Sequence, residues 1–127
     1  MNYLETIFQI WSELYDKNKD TKSTIEKFFH DDYTQCINGV TMDRTEYIEH
    51  VIEQKKNIEA MKFSKHTHIG QGDELFIIYD AKGKNIEGND VEAEIISYFK
   101  FKENKVFRIH GQVHLLKGSS SDVDMNN

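Results

Sequence analysis

With 127 residues, 38% of them hydrophobic and 12% aromatic, the chain supports one packed core and is not an acidic disordered segment. Its 22 acidic and 16 basic residues leave a net charge of -6, and with no basic stripe such a surface repels phosphate backbones, which excludes nucleic acid as a partner. Cys36 is the lone cysteine, residues 1–15 lack the basic start and apolar run of a signal peptide, and no stretch reaches the about 20 apolar residues of a membrane span, so a cytoplasmic chain with no membrane partner is expected.

Leu4, Ile7, Phe8, Trp11, Leu14 and Tyr15 recur at helical spacing, with Glu5, Gln9, Ser12 and Glu13 on the other face. Residues 16–20 break that pattern. Ser23 with Glu26 predicts a capping box for a short second helix ending near His30, with Ile25, Phe28 and Phe29 as its buried face. A hairpin follows over 33–42, turned by Asn38-Gly39, which supply the positive φ angles of a two-residue turn. Asp43, with Glu46 three residues on, starts a third helix reaching about Asn57.

Beyond about residue 58 the period changes to two. Over 61–69, Met61, Phe63, Thr67 and Ile69 are expected on one face and Lys62, Ser64, His66 and His68 on the other. Residues 70–73 turn the chain, 74–81 form a dense apolar strand, 82–90 are expected to be a mobile loop, and 91–101 and 106–116 are two long strands. The domain is expected to span 1–118, with 119–127 a flexible tail.

Parity constrains the last hairpin. Ala93, Ile95, Phe99 and Phe101 share one face of its first strand, and Phe107, Ile109, Val113 and Leu115 share one face of its second. A two-residue loop pairs apolar positions with polar ones, so a three-residue loop over 102–104, with Asn104 left-handed, is expected. It places Glu92 opposite His114, Glu94 opposite Gln112 and Tyr98 opposite Arg108.

This order of elements resembles the nuclear transport factor 2-like superfamily and, within it, the SnoaL-like branch. The segments that carry the likeness are Phe29-His30-Asp31-Asp32-Tyr33-Thr34-Gln35, the Asn38-Gly39 turn, Glu46-Tyr47-Ile48-Glu49-His50, Tyr98-Phe99-Lys100-Phe101 through Lys105-Val106, and His114-Leu115-Leu116-Lys117-Gly118. The resemblance implies an α+β fold, a cone in which three N-terminal helices pack inside a curved, mostly antiparallel six-stranded sheet and leave a pocket. Members include ring cyclases, isomerases, dehydratases, epoxide hydrolases and pure binding or dimerisation domains, so fold does not choose function. Catalytic members often carry an acid midway along the last strand, and here that position falls on Gly111. A bulge would be needed to bring His110 into the role.

The candidate ligand-binding set is Tyr33, Gln35, His50, Phe99, Ile109, Gly111 and Val113, with Gly111 leaving space at the centre of the inner face. Trp11 and Tyr15 are core residues that could also wall the pocket. Glu94, Tyr98, Arg108, His110 and His114 form a polar strip, either an acid–base cluster in the pocket, built on Glu94, His110 and His114, or the outer face of the sheet. No metal is expected: the His66–His68 and His110–His114 pairs would stand three strand spacings, roughly 14 Å, apart, too far for one ion. A two-histidine site completed by Glu92 or Glu94 near His114 stays open. Cys36 reads as a small core residue. No cofactor motif is present.

Two functions remain. One is a cofactor-independent protein that binds a small hydrophobic or aromatic metabolite and, if an enzyme, acts as an isomerase, cyclase, dehydratase or hydrolase. The other is a non-enzymatic dimerisation or partner-binding domain. A homodimer through the outer sheet face, around Tyr98, Arg108 and His110, is expected in either case.

Overall fold

The computed structural model describes residues 2–119. Three helices, α1 (Tyr3–Leu14), α2 (Thr21–Phe28) and α3 (Arg44–Lys55), pack on six strands, β1 (Phe29–Ile37), β2 (Val40–Asp43), β3 (Ile58–Gln71), β4 (Glu74–Asn85), β5 (Asp90–Lys102) and β6 (Lys105–Lys117). The strands form one sheet in the order β2-β1-β6-β5-β4-β3. Among the described residues only the β1–β6 ladder is parallel. This is the α+β architecture that the resemblance implies.

Each helix starts on a side-chain cap that satisfies otherwise orphaned backbone N–H groups. Asn2 accepts from the Glu5 N–H at 3.1 Å. Asp43 and Glu46 form the reciprocal box expected for α3. The cap of α2 differs from expectation: Asp20, not Ser23, accepts from the Ser23 N–H at 2.9 Å, and the Ser23 hydroxyl donates to the same carboxylate. A carboxylate three residues upstream is the stronger acceptor, so Ser23 becomes part of the first turn. The helix then ends at Phe28, and Phe29 is already extended and fully buried at the start of β1.

Two of the sheet's bulges correct the strand expectations. The last hairpin turns on two residues, Glu103 and Asn104, both left-handed at φ 54° and 63°, with Lys102 opposite Lys105. The predicted parity clash is removed because Phe107 bulges out of β6 between Val106 and Arg108. Like faces like, two residues away from the predicted register: Glu94 stands opposite His114, Ile96 opposite Gln112 and Tyr98 opposite His110. In β3 a bulge at His66 reverses the faces, so Thr67 and Ile69 pair with outward Ile78 and Phe76, while His68 pairs with inward Ile77 and no longer shares a face with His66. A third, at Leu116, adds to the curvature of β6. The expected mobile loop is instead paired: β4 continues to Asn85 and β5 starts at Asp90, closed by Asn85 N–H to Asn89 O at 3.0 Å. Beyond Ser119 the expected tail lies outside the described residues.

The helices cover the concave face. Val91, Ala93, Ile95, Ser97, Phe99 and Phe101 alternate inward along β5, all buried, against Ile7, Ile10, Leu14 and Val51 of the helices. Tyr3 closes one end by stacking on Phe101, ring centroids 4.0 Å apart. No helix of the described residues is long and apolar enough to cross a membrane.

Candidate functional site

A cavity of about 60 Å³ lies where the sheet curves away from the helices. Trp11 and Tyr15 at the end of α1 and Tyr47 and Gln54 of α3 form its helical wall, and every strand except β2 contributes two residues to it. Those are Gln35 and Ile37, Met61 and Phe63, Tyr79 and Ala81, Ile95 and Ser97, and Ile109 and Val113. Four pairs are spaced by two and Ile109 and Val113 by four, the spacing of inward positions of a pleated strand. The lining includes no Asp, Glu, His, Lys, Arg or Cys.

Its polar atoms are not all satisfied. The indole N–H of Trp11, the amide nitrogen of Gln35 and the hydroxyl of Ser97 are buried without a hydrogen-bond partner among the described residues. Such a group costs about 1–3 kcal/mol. Gln35 is oriented by Tyr33, whose hydroxyl donates to Oε1 at 2.8 Å and leaves the amide nitrogen unpartnered. Across the cavity the Tyr15 hydroxyl donates to Gln54 Oε1 at 3.0 Å and ties α1 to α3. Asn38, beyond its turn, extends the wall: its side chain donates to the Val113 carbonyl at 3.2 Å and accepts from the Val113 N–H at 2.9 Å, in the manner of one more residue of strand pairing.

Of the predicted ligand-binding residues, Gln35, Ile109 and Val113 line the cavity. Tyr33 acts behind Gln35, and Phe99 is buried beside Trp11, ring centroids 6.3 Å apart. His50 is half-buried and does not line the cavity. Gly111 is corrected. A Cβ there would stand 2.6 Å from Ser97 Oγ and 2.7 Å from the Ile96 carbonyl, so its missing side chain is the room that Ser97 and β5 already occupy, not open space. Glu94, His110 and His114 are on the convex face: His110 and His114 are exposed, and the acid–base cluster is not in the cavity. The bulge of β6 falls at Phe107, three residues before His110, and leaves that side chain outward. Ser97, Tyr47 and Gln54 were missed. Ser97, a polar residue at an inward position of an apolar strand, carried a readable signal.

No family model matches the chain. An uncharacterised protein of Schizosaccharomyces pombe is 19% identical over 119 residues, spanning 94% of this chain and 91% of its own. An NTF2-like protein of unknown function from Exiguobacterium superposes with a TM-score of 0.69 at 15% identity, over 85% of this chain and 94% of its own. A Jannaschia protein provisionally described as a SnoaL-like polyketide cyclase gives 0.63 at 9% identity, over 83% of each chain. A Rhodopseudomonas palustris protein provisionally described as an isomerase gives 0.73 at 7% identity, over 85% of this chain and 88% of its own. At these identities the likeness is one of fold: the chain has the nuclear transport factor 2-like fold.

Proposed function

We propose that this chain is a cytoplasmic binding protein for a small, neutral, mostly apolar molecule bearing a hydrogen-bond acceptor, held between the helices and the concave face of the sheet. The observation that carries this reading is the set of buried polar atoms without a partner among the described residues, Trp11 Nε1, Gln35 Nε2 and Ser97 Oγ, in a mostly apolar lining. Two of them can only donate, and a hydroxyl can do so, which selects a carbonyl or ether oxygen in the ligand. The lining holds no carboxylate, imidazole, amine or thiol, and its tyrosines titrate far above neutral pH, which argues for binding without fast acid–base turnover. A cavity of about 150 Å³ takes up benzene, so an aromatic ring requires the half-buried Met61 and Phe63 of β3 to move outward.

Trp11 is the only tryptophan, so its indole N–H gives a single side-chain resonance in a nitrogen–proton correlation spectrum. Cyclohexanone is expected to shift that resonance and the Gln35 amide pair saturably, and cyclohexane much less. No shift with either removes the binding reading. A second reading then takes its place, a domain acting through self-association. Its support is the exposed apolar group on the convex face, Ile69, Phe76 and Ile96 around Tyr98. We propose a homodimer through this face, which Phe76→Glu or Tyr98→Glu should split in light scattering.

A further inference from the structure

We propose a divalent transition-metal site on the convex face, made by His66, Asp80 and Glu94. These side chains come from three adjacent strands, β3, β4 and β5, and their donor atoms all lie within 4.8 Å of one another. His66 Nε2 is 2.6 Å from Asp80 Oδ2. The site is distinct from the cavity, which opens on the other face of the same sheet.

The backbone places the ligands. Asp80 and Glu94 are direct cross-strand partners on the outward side of β4 and β5. His66 is the extra residue of the bulge between Lys65 and Thr67, and the bulge turns it toward Asp80. Without that insertion β3 would present a different residue here. An imidazole and two carboxylates suit zinc, cobalt or nickel, with water completing the shell.

Charge supplies the second argument. Like charges directly opposite one another on a sheet destabilise it. Elsewhere on this face carboxylates have partners: Glu92 has Lys82 and Lys117, each at 3.8 Å, Asp73 has Lys100 at 2.9 Å, and Glu74 accepts from the Tyr98 hydroxyl at 2.6 Å. Asp80 has only His66, and Glu94 has no hydrogen bond or ion pair among the described residues. A bound dication neutralises the pair. Ligands of a tetrahedral zinc site stand about 3.4 Å apart, and rotation of the untethered Glu94 side chain closes the remaining distance. The His66–His68 and His110–His114 pairs are too far apart to share one ion, but the carboxylates of the two intervening strands bring His66 into a site.

The test is calorimetric titration of the full chain, freed of metal by chelation, with zinc chloride. One saturable zinc per chain is expected. His66→Ala, Asp80→Asn and Glu94→Gln should each weaken it at least about tenfold, while His68→Ala and His114→Ala leave it unchanged. Circular dichroism and urea midpoints confirm that each variant is folded. The proposal is overturned if the native chain shows no saturable binding. It is equally overturned if the three variants bind as the native chain does, or if His114→Ala abolishes binding while His66→Ala does not, which would move the site to Glu94 and His114.

Discussion

The two faces of one sheet treat polar atoms in opposite ways. On the convex face the Tyr98 hydroxyl donates to Glu74 at 2.6 Å, Lys100 holds Asp73, and His66 meets Asp80. On the concave face Ser97 and Gln35 keep polar atoms buried and unpartnered inside an apolar wall. On β5 the two kinds stand side by side, Ser97 inward and Tyr98 outward, one residue out of phase. Polar groups in contact with water cost little to place, so the convex face tolerates many. A polar atom in the cavity destabilises the fold, which is why those few that persist there point to recognition.

The contrast can be broken most severely at Phe99. This side chain is 1% exposed, and Phe99→Ala is expected to cost about 3–5 kcal/mol in urea unfolding followed by Trp11 fluorescence. A loss as small as a surface substitution gives would mean that the concave face is not the core.

Gly111 and Gln112 sharpen the comparison, being adjacent in β6 and on opposite faces. Gly111→Ala forces a methyl to within 2.6 Å of Ser97 Oγ and should cost about 1–3 kcal/mol. Gln112→Ala should leave the urea midpoint almost unchanged. Equal effects at both positions would remove the distinction between the faces.

Ser97→Ala should act in the opposite direction. It removes a buried hydroxyl without a partner, and without ligand the protein should gain about 1 kcal/mol, read as a higher urea midpoint. The same variant should bind cyclohexanone more weakly. A destabilised variant would show that the hydroxyl is satisfied in solution.

The smallest expected effect is on pH dependence. A hydrogen bond from Lys100 holds the Asp73 carboxyl below its usual range, so its contribution is present above about pH 4 and is lost as pH falls through the lowered value. The Glu74 contact raises the Tyr98 hydroxyl above its usual range, so that contribution is present below about pH 10 and disappears as pH rises further. Asp73→Asn should flatten part of the acid limb and Tyr98→Phe part of the alkaline limb. Cyclohexanone binding at the uncharged concave face should not change between about pH 5 and 8. Binding that titrates in this range would place an ionisable group in the cavity.

The sequence by itself determined the order of helices and strands and which residues of β5 face inward, because hydrophobic period is a local property: the Leu4–Tyr15 stripe, the alternation of Ala93, Ile95, Phe99 and Phe101, and the Asn38-Gly39 and Asp43–Glu46 signals all act within a few residues. The tertiary structure decided how those faces meet. The bulges at His66 and Phe107 leave no compositional mark, yet each changes which side chains are neighbours and, with them, whether His66 meets Asp80 and whether His110 can reach the cavity. Gly111 shows the same limit: its sequence says that a side chain is missing, but only the approach of Ser97 and the Ile96 carbonyl says what fills the space, since packing depends on residues far apart in the chain.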